Sequence, residues 1–327
     1  MSASSCTTAC INISNLNYIT LNGGTNGIIQ VTNNGDEAAD NDFIKGILAT
    51  STNYDTIKYL TIENIYVKHQ NTESSTDGDA IRMDNSSNIT IDHNYMSQAG
   101  FKDVEDDNTI GAQNITISNN DLSGSNWAIL ITAGTNDTQG PFYIYGNHIH
   151  DLANWDDPND DDHHNGIFCF TSGDTTYAPH YSGFYVYNNL FNGSIGANGT
   201  SWDTIQSCSD DTTNYYVFNN IFASSGNEPG NGDDDSNKGV DPTYNNTFIG
   251  SASAGPLLYT SYSGKHDVRN NLFYNGSVGE ATRGACSASA SAPSGYPCPL
   301  YSFNNNIYAN SLGGSTFTFD CPPSNGQ

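Results

Sequence analysis

Basic residues are scarce in this 327-residue chain. Nine Lys and Arg stand against 35 Asp and Glu, a formal charge of −26. That balance excludes nucleic acid as a partner, because phosphate recognition requires a basic surface. It argues against an anionic membrane for the same reason. No apolar run approaches the ~20 residues that span a bilayer, so no membrane partner is expected. A sustained 3.6-residue apolar period is also missing, which excludes a helical repeat. Arginine occurs three times, as Arg82, Arg269 and Arg283. None of the seven cysteines lies in a CxxC pair, so a zinc ribbon has no support. The opening Met1-Ser-Ala-Ser-Ser lacks the basic and apolar regions of a signal peptide. A leader removed and a start Met added is the expectation.

What the chain does have is a short repeated phrase. Residues 88–94 read Asn-Ile-Thr-Ile-Asp-His-Asn and residues 114–120 read Asn-Ile-Thr-Ile-Ser-Asn-Asn. Looser copies close on Asn64, Asn147, Asn189, Asn220, Asn246, Asn271 and Asn306. Most copies are 25 to 31 residues apart, with longer insertions before Asn189 and Asn306. Such a period means a repeat architecture. Each unit alternates apolar and polar residues, a strand pattern, and turns at asparagine. One unit therefore makes one coil of a parallel β-helix. Coils stack ~4.8 Å apart, so equivalent residues lie above one another. Asparagines at the same turn can then bond along the stack as a ladder. The usual hand of parallel crossovers makes the helix right-handed.

The fold expected is all-β, a right-handed parallel β-helix of roughly ten coils in a single domain over 1–327. Residues 1–56 form an irregular first coil and a cap, 57–310 the regular coils, and 311–327 a C-terminal cover. Asp42 to Leu48 is apolar at helical spacing, which predicts a short helix closing the open end. A second apolar strand precedes each asparagine phrase, as at Ala80–Met83, Trp127–Thr132, Gly166–Phe170, Asp203–Gln206 and Pro256–Tyr259. These strands should stack into one long sheet. Cys169 and Cys208 occupy similar places in adjacent coils, and Cys286 and Cys298 bracket a Ser/Ala/Pro loop. Pairing of either kind fits a secreted, extracellular protein.

Residues 75–97 carry the most specific signal. Asp77-Gly-Asp79-Ala-Ile81, then Thr90-Ile-Asp-His93, then Asp103-Val-Glu-Asp-Asp107 on the next coil, together resemble the pectate lyase superfamily over about 77–120. The resemblance implies Ca²⁺ held by Asp77, Asp79, Asp103 and Asp107, bridging to a uronate-containing polysaccharide. Stacked carboxylates suit an ion that takes six to eight oxygens. That family also uses an Arg-x-Pro-Arg segment as the proton-abstracting element, and this chain has none. Arg82 and Lys102 are the candidates for catalytic base or carboxylate clamp. If neither faces the groove of the aspartates, β-elimination loses its base.

The leading functional expectation is a secreted, calcium-assisted polysaccharide lyase, acting as a monomer. The first alternative is a non-catalytic glycan-binding or surface β-helix. A second is a glycoside hydrolase pairing Asp77 with Asp106 or Asp107, for which polygalacturonases offer a fainter resemblance at Thr76-Asp-Gly78 and Asp106-Asp107. Trp127, Trp155 and Trp202, at or near strand starts, are candidates to stack on sugar rings, with His164 as a further substrate contact. His148, His150, His163 and His164, next to Asp160, Asp161 and Asp162, form a possible transition-metal or acid–base cluster.

Overall fold

A computed structural model describes residues 2–3, 8–31, 44–65, 78–108, 112–133, 138–152, 164–171, 180–195, 203–206, 215–225, 228–232, 240–250, 258–259, 265–274, 282–283 and 302–309. Asp77, Trp155, Trp202, His163, Asp160 to Asp162, Cys208, Cys286, Cys298 and the 311–327 cover lie outside them.

The chain is a right-handed parallel β-helix. Among the described residues, ten strands, one per coil, form the first sheet, from Ala9–Asn12 through Lys45–Thr50, Asp79–Asp84, Lys102–Asn108, Trp127–Ala133, Asn165–Thr171, Asp203–Gln206, Glu228–Gly232 and Leu258–Tyr259 to Thr282–Arg283. A nineteen-stranded sheet wraps the other two sides. One row of it, the second face, includes Thr90–Asp92, Ile115–Ser118, Phe142–Tyr145, Phe184–Tyr187 and Tyr215–Phe218. The other row, the third face, includes Tyr95–Ser97, Asp121–Ser123, His148–Leu152, Leu190–Ile195 and Ile221–Ser225. The rows are joined through Thr56–Glu63, which pairs with both. All of these pairings are parallel, and apart from register shifts at His150/Leu152 and Asp203/Ile205 each coil places its side chains above those of its predecessor.

Between the second and third faces the chain turns through a left-handed residue. His93, Asn119, Asn188, Asn219, Asn245, Asn270 and Asn305 have φ of 54–58°. Asparagine tolerates this region because its short polar side chain bonds locally. Gly146 fills the same place with φ +67°, and a Cβ there would lie 2.5 Å from Asn119 Oδ1. The next residue is the buried asparagine of the repeat. Asn94, Asn120, Asn147, Asn189, Asn220, Asn246, Asn271 and Asn306 form a continuous column. Each Nδ2 donates to the following Oδ1 at 3.0–3.1 Å. Each Nδ2 also donates to a carbonyl of the previous coil, as Asn120 does to Ile91 at 3.0 Å. Asn64 does not join the column. Thr56, Ile57 and Lys58 align with Thr90, Ile91 and Asp92, so the turn falls at Tyr59 and Leu60 occupies the asparagine place.

The core is a stack of like residues. Ile47, Ile81, Val104, Ile129, Ile167 and Ile205 form one inward column of the first sheet, all fully buried. Phe191, Phe222, Phe248 and Phe273 stack at 4.8–4.9 Å within 4° of parallel. Those distances equal the coil spacing, so the fold sets ring contact without adjustment.

The helical cap expected over Asp42 to Leu48 is not formed where the chain is described. Lys45–Thr50 is a strand of the first sheet, with Ile47 paired to Ile81 and Ala49 to Met83. Apolar residues four apart suit either period in so short a stretch. Docking onto the next coil settles it, because it buries Ile47 and Ala49 together. No helix occurs among the described residues, so none is long and apolar enough to cross a membrane.

Candidate functional site

The outer side of the first sheet gathers most of the expected site residues. Lys45, Asp79, Lys102, Trp127 and Asn165 form one column. Leu48, Arg82, Glu105, Leu130 and Phe168 form a second, and Thr50, Asp84, Asp107 and Thr132 a third. Strand alternation puts Arg82 and Asp84 on one side and Ile81 and Met83 on the other.

The three columns share an ionic network. Arg82 donates from Nη1 to Glu105 Oε2 at 2.8 Å, from Nε to Asp84 Oδ1 at 2.8 Å, and from Nη2 to Asp107 Oδ2. Lys102 Nζ lies 3.2 Å from Glu105 Oε1 and 3.8 Å from Asp79 Oδ1. Lys45 Nζ lies 3.9 Å from Asp79 Oδ2. Lys45, Asp79, Lys102 and Glu105 are all buried. Three cations therefore face three carboxylates plus Asp79.

The charge balance sets the protonation. Burial, reinforced by the neighbouring Glu105 charge, pushes Asp79 up to about 7 against the pull of Lys102, Lys45 and Arg82. Burial would raise Glu105 too, but Lys102 and Arg82 outweigh it and hold it below the usual range. Burial disfavours the charge on Lys102, yet Asp79 and Glu105 overcome this and hold its pKa above normal. Arg82 is likewise raised, its burial overcome by Glu105, Asp79 and Asp84. Lys45 alone among these cations is lowered, by burial.

These placements rearrange the expected assignments. Arg82 and Lys102 do face the same side as Asp79 and Asp107, but as charged partners in ion pairs. A general base at neutral pH needs the opposite shift. The three described aspartates expected to hold calcium do not converge. Asp79 sits opposite Lys102, five strand residues from Asp107, or roughly 16 Å. Asp103 points inside the coil, where Ser125 Oγ donates to its Oδ1 at 2.7 Å. Burial, with the nearby Asp121 charge, holds the Asp103 pKa well above the carboxylate range despite the Ser125 and Ser123 hydrogen bonds. Calcium takes its oxygens at 2.3–2.6 Å, so these three do not fit one ion. Asp106 is also turned inward, in the column of Met83 and Ile131, and is unavailable for the expected hydrolytic pair.

The aromatic and histidine assignments change as well. Trp127 stands at the head of its strand but is 8% exposed. It packs edge-on to Phe101 at 4.5 Å and against Phe168 at 5.4 Å, in a small cluster completed by Leu130. No face of it is open for a sugar. His164 is fully buried before Asn165–Thr171, on the first sheet. His148 and His150 lie on the third face, on a different sheet from the strand that follows His164.

Sequence reasoning missed Lys45, Asp84 and Glu105. Lys45 was assigned to a helix, and Asp84 fell between the two matched segments. The strand period from Arg82 to Asp84, and from Glu105 to Asp107, was the available signal. Cys10 and Cys169 are both disulfide-bonded.

No protein-family model matches the chain, and no curated protein matches it. Among solved structures, it is similar to PfbA, a surface adhesin of Streptococcus pneumoniae, at TM-score 0.56 and 13% identity over 94% of this chain and 72% of that one. A family 28 exopolygalacturonase of Yersinia enterocolitica aligns at TM-score 0.40 and 11% identity, covering 84% of this chain and 44% of that one. A pectate lyase from Bacillus sp. N165, in complex with trigalacturonate, aligns at TM-score 0.31 and 16% identity, covering 95% and 80%. At these identities the adhesin match speaks to the fold alone.

Proposed function

We propose that this chain is an extracellular carbohydrate-binding β-helix protein that holds a polysaccharide along the outer side of its first sheet. In this reading it does not cleave by β-elimination through Arg82 or Lys102. The observation that carries it is the ionic network. Arg82 spends its three nitrogens on Glu105, Asp84 and Asp107, and Lys102 lies between Asp79 and Glu105. At the edge of the network, Asp84 and Asp107 are partly exposed, and Thr50 and Thr132 hydrogen-bond to them. That row offers carboxylate and hydroxyl groups suited to sugar hydroxyls. With a charge of −26 the chain repels polyanions, which favours a neutral glycan over a uronate. Disulfides at Cys10 and Cys169 support an oxidising, extracellular setting.

The test is a paired one on the full chain. Affinity electrophoresis against neutral polysaccharides, pectate and alginate reads binding. Ultraviolet absorbance of unsaturated uronate reads elimination, with calcium and with chelator. Retention by a neutral polysaccharide with flat absorbance is expected. Calcium-dependent absorbance growth would overturn the reading, as would no retention by any polymer.

A second reading rests on Asp84 and Asp107 alone. They are register partners on adjacent strands whose backbones lie ~4.8 Å apart, a spacing that lets two carboxyl groups sit at the ~5–5.5 Å of retaining glycosidase pairs. Release of reducing ends that both Asp84→Asn and Asp107→Asn abolish would favour hydrolysis over binding.

A further inference from the structure

The third face carries a second polar centre, on a different side of the coil from the ionic network. His148 and His150 project from the same side of one strand, their rings stacked with centroids 4.0 Å apart. Asp121, the register partner of His148, lies on the coil before, and Asn192, the partner of His150, on the coil after. Asp121 reaches both rings. Its Oδ2 is 3.1 Å from His148 Nδ1 and its Oδ1 is 3.1 Å from His150 Nε2. The far nitrogens are anchored. His148 Nε2 is 3.0 Å from Asn192 Oδ1, and His150 Nδ1 is 2.9 Å from Asp151 Oδ2.

In the neutral rings these anchors favour one tautomer each. A proton on His148 Nε2 satisfies Asn192, and one on His150 Nδ1 satisfies Asp151. The nitrogens left, His148 Nδ1 and His150 Nε2, then turn their lone pairs toward the carboxylate of Asp121. Lone pairs facing carboxylate oxygens repel unless a cation lies between them, either a ring proton or a metal ion. Carboxylate- or carbonyl-anchored imidazoles converging on a carboxylate are the outer and inner parts of a transition-metal site. The three ligand atoms lie within 4.8 Å of one another. Ligands at 2.0–2.1 Å around a tetrahedral ion stand about 3.4 Å apart, and here each Asp121 oxygen lies 3.1 Å from a different imidazole nitrogen. Asp151 is itself braced, since its Oδ1 accepts from Ser194 N at 3.3 Å.

We propose that His148 Nδ1, His150 Nε2 and Asp121 bind one divalent transition-metal ion of the zinc class. Two imidazoles and one carboxylate leave at least one position open, and Asp121 and His148 are over a third exposed, so water or an external ligand can complete the shell. Imidazole selects zinc, copper or nickel over calcium and magnesium, so the bulk acidity of the chain does not compete for this site. The proposal is independent of the glycan-binding reading.

The experiment uses the full chain, stripped with chelator and titrated calorimetrically with ZnCl₂ in excess calcium, which saturates weak carboxylate sites. One ion per chain is expected. His148→Ala and His150→Ala should each weaken binding by about tenfold or more, and Asn192→Ala by about tenfold through loss of ring anchoring. His93→Ala, at an exposed histidine paired with Asp92 on the second face, should leave affinity unchanged. Visible absorption of cobalt(II) bound to the unmodified chain reads nitrogen coordination directly, so a variant that fails to fold does not decide the matter. A stoichiometry other than one, equal zinc affinity in His148→Ala or His150→Ala, or cobalt absorption indistinguishable from the aqueous ion would each overturn the site.

Discussion

At the residue scale, the buried charges of the first sheet decide what the site can do. Folding raises Asp79 from its ordinary value to about 7. Its contribution to stability is therefore complete below about pH 4 and is lost as pH rises through about 7. Asp79→Asn removes that loss at nearly constant volume. The stability of the variant relative to the parent should increase between pH 4 and pH 8, by on the order of 2–4 kcal/mol. Urea unfolding across that range measures it, and a pH-independent difference would mean Asp79 is ionised throughout. Arg82 has the opposite role. Replacing it with Met leaves Glu105, Asp84 and Asp107 without their shared donor. The expected cost is about 3 kcal/mol, because removing one partner of a buried pair strands the other charge. A near-neutral Arg82→Met in the same unfolding assay would contradict the network.

At the element scale, the turn between the second and third faces is the repeated structural unit. It combines a left-handed residue with a buried asparagine whose amide bonds to the coils on both sides. Asn120→Leu should cost about 1–3 kcal/mol, since it leaves the Ile91 carbonyl, the Asn94 amide and Asn147 Oδ1 short of partners. Asn306 accepts from Asn271 and donates to the Val268 carbonyl but is only partly buried, so Asn306→Leu should cost less. Equal costs from thermal unfolding would mean the column is not cooperative along its length. The same element explains the misplaced Asn64. The spacing of the asparagine phrases was legible, but whether Tyr59 or Glu63 takes the turn depends on which alignment buries Ile57 beneath Ile91.

At the scale of the whole molecule, the charge of −26 is spread along a solenoid of ten coils. Self-repulsion of this size should make the melting temperature rise with salt, most steeply below about 0.1 M, where the Debye length exceeds about 10 Å. Calcium and magnesium at equal ionic strength should then act alike, because Asp79, Asp103 and Asp107 do not share one ion. A selective rise with calcium in differential scanning calorimetry would show a site that these three residues do not form.

The amino-acid sequence by itself determined the coil. Apolar alternation, the asparagine at each turn and the period between them are local features, and a parallel stack merely repeats them ~4.8 Å apart. It also placed Asp79, Arg82 and Lys102 on one sheet, because successive first-sheet strands precede successive asparagine phrases. Tertiary structure decided which way each carboxylate points and what it meets. Asp103 enters an inward column otherwise made of small residues, where a Cβ on Gly46 would lie 2.5 Å from the Ala80 carbonyl, and it is held there by Ser125. Lys45 joins Asp79 from a strand that reads equally well as a helix until the next coil docks on it. Asp121 meets His148 and His150 across a gap of 27 residues, because one full coil returns the chain to the same place on the third face. Sequence shows periodicity along the chain, whereas the charge and geometry of a site depend on neighbours one coil away, and those are set only when the coils stack.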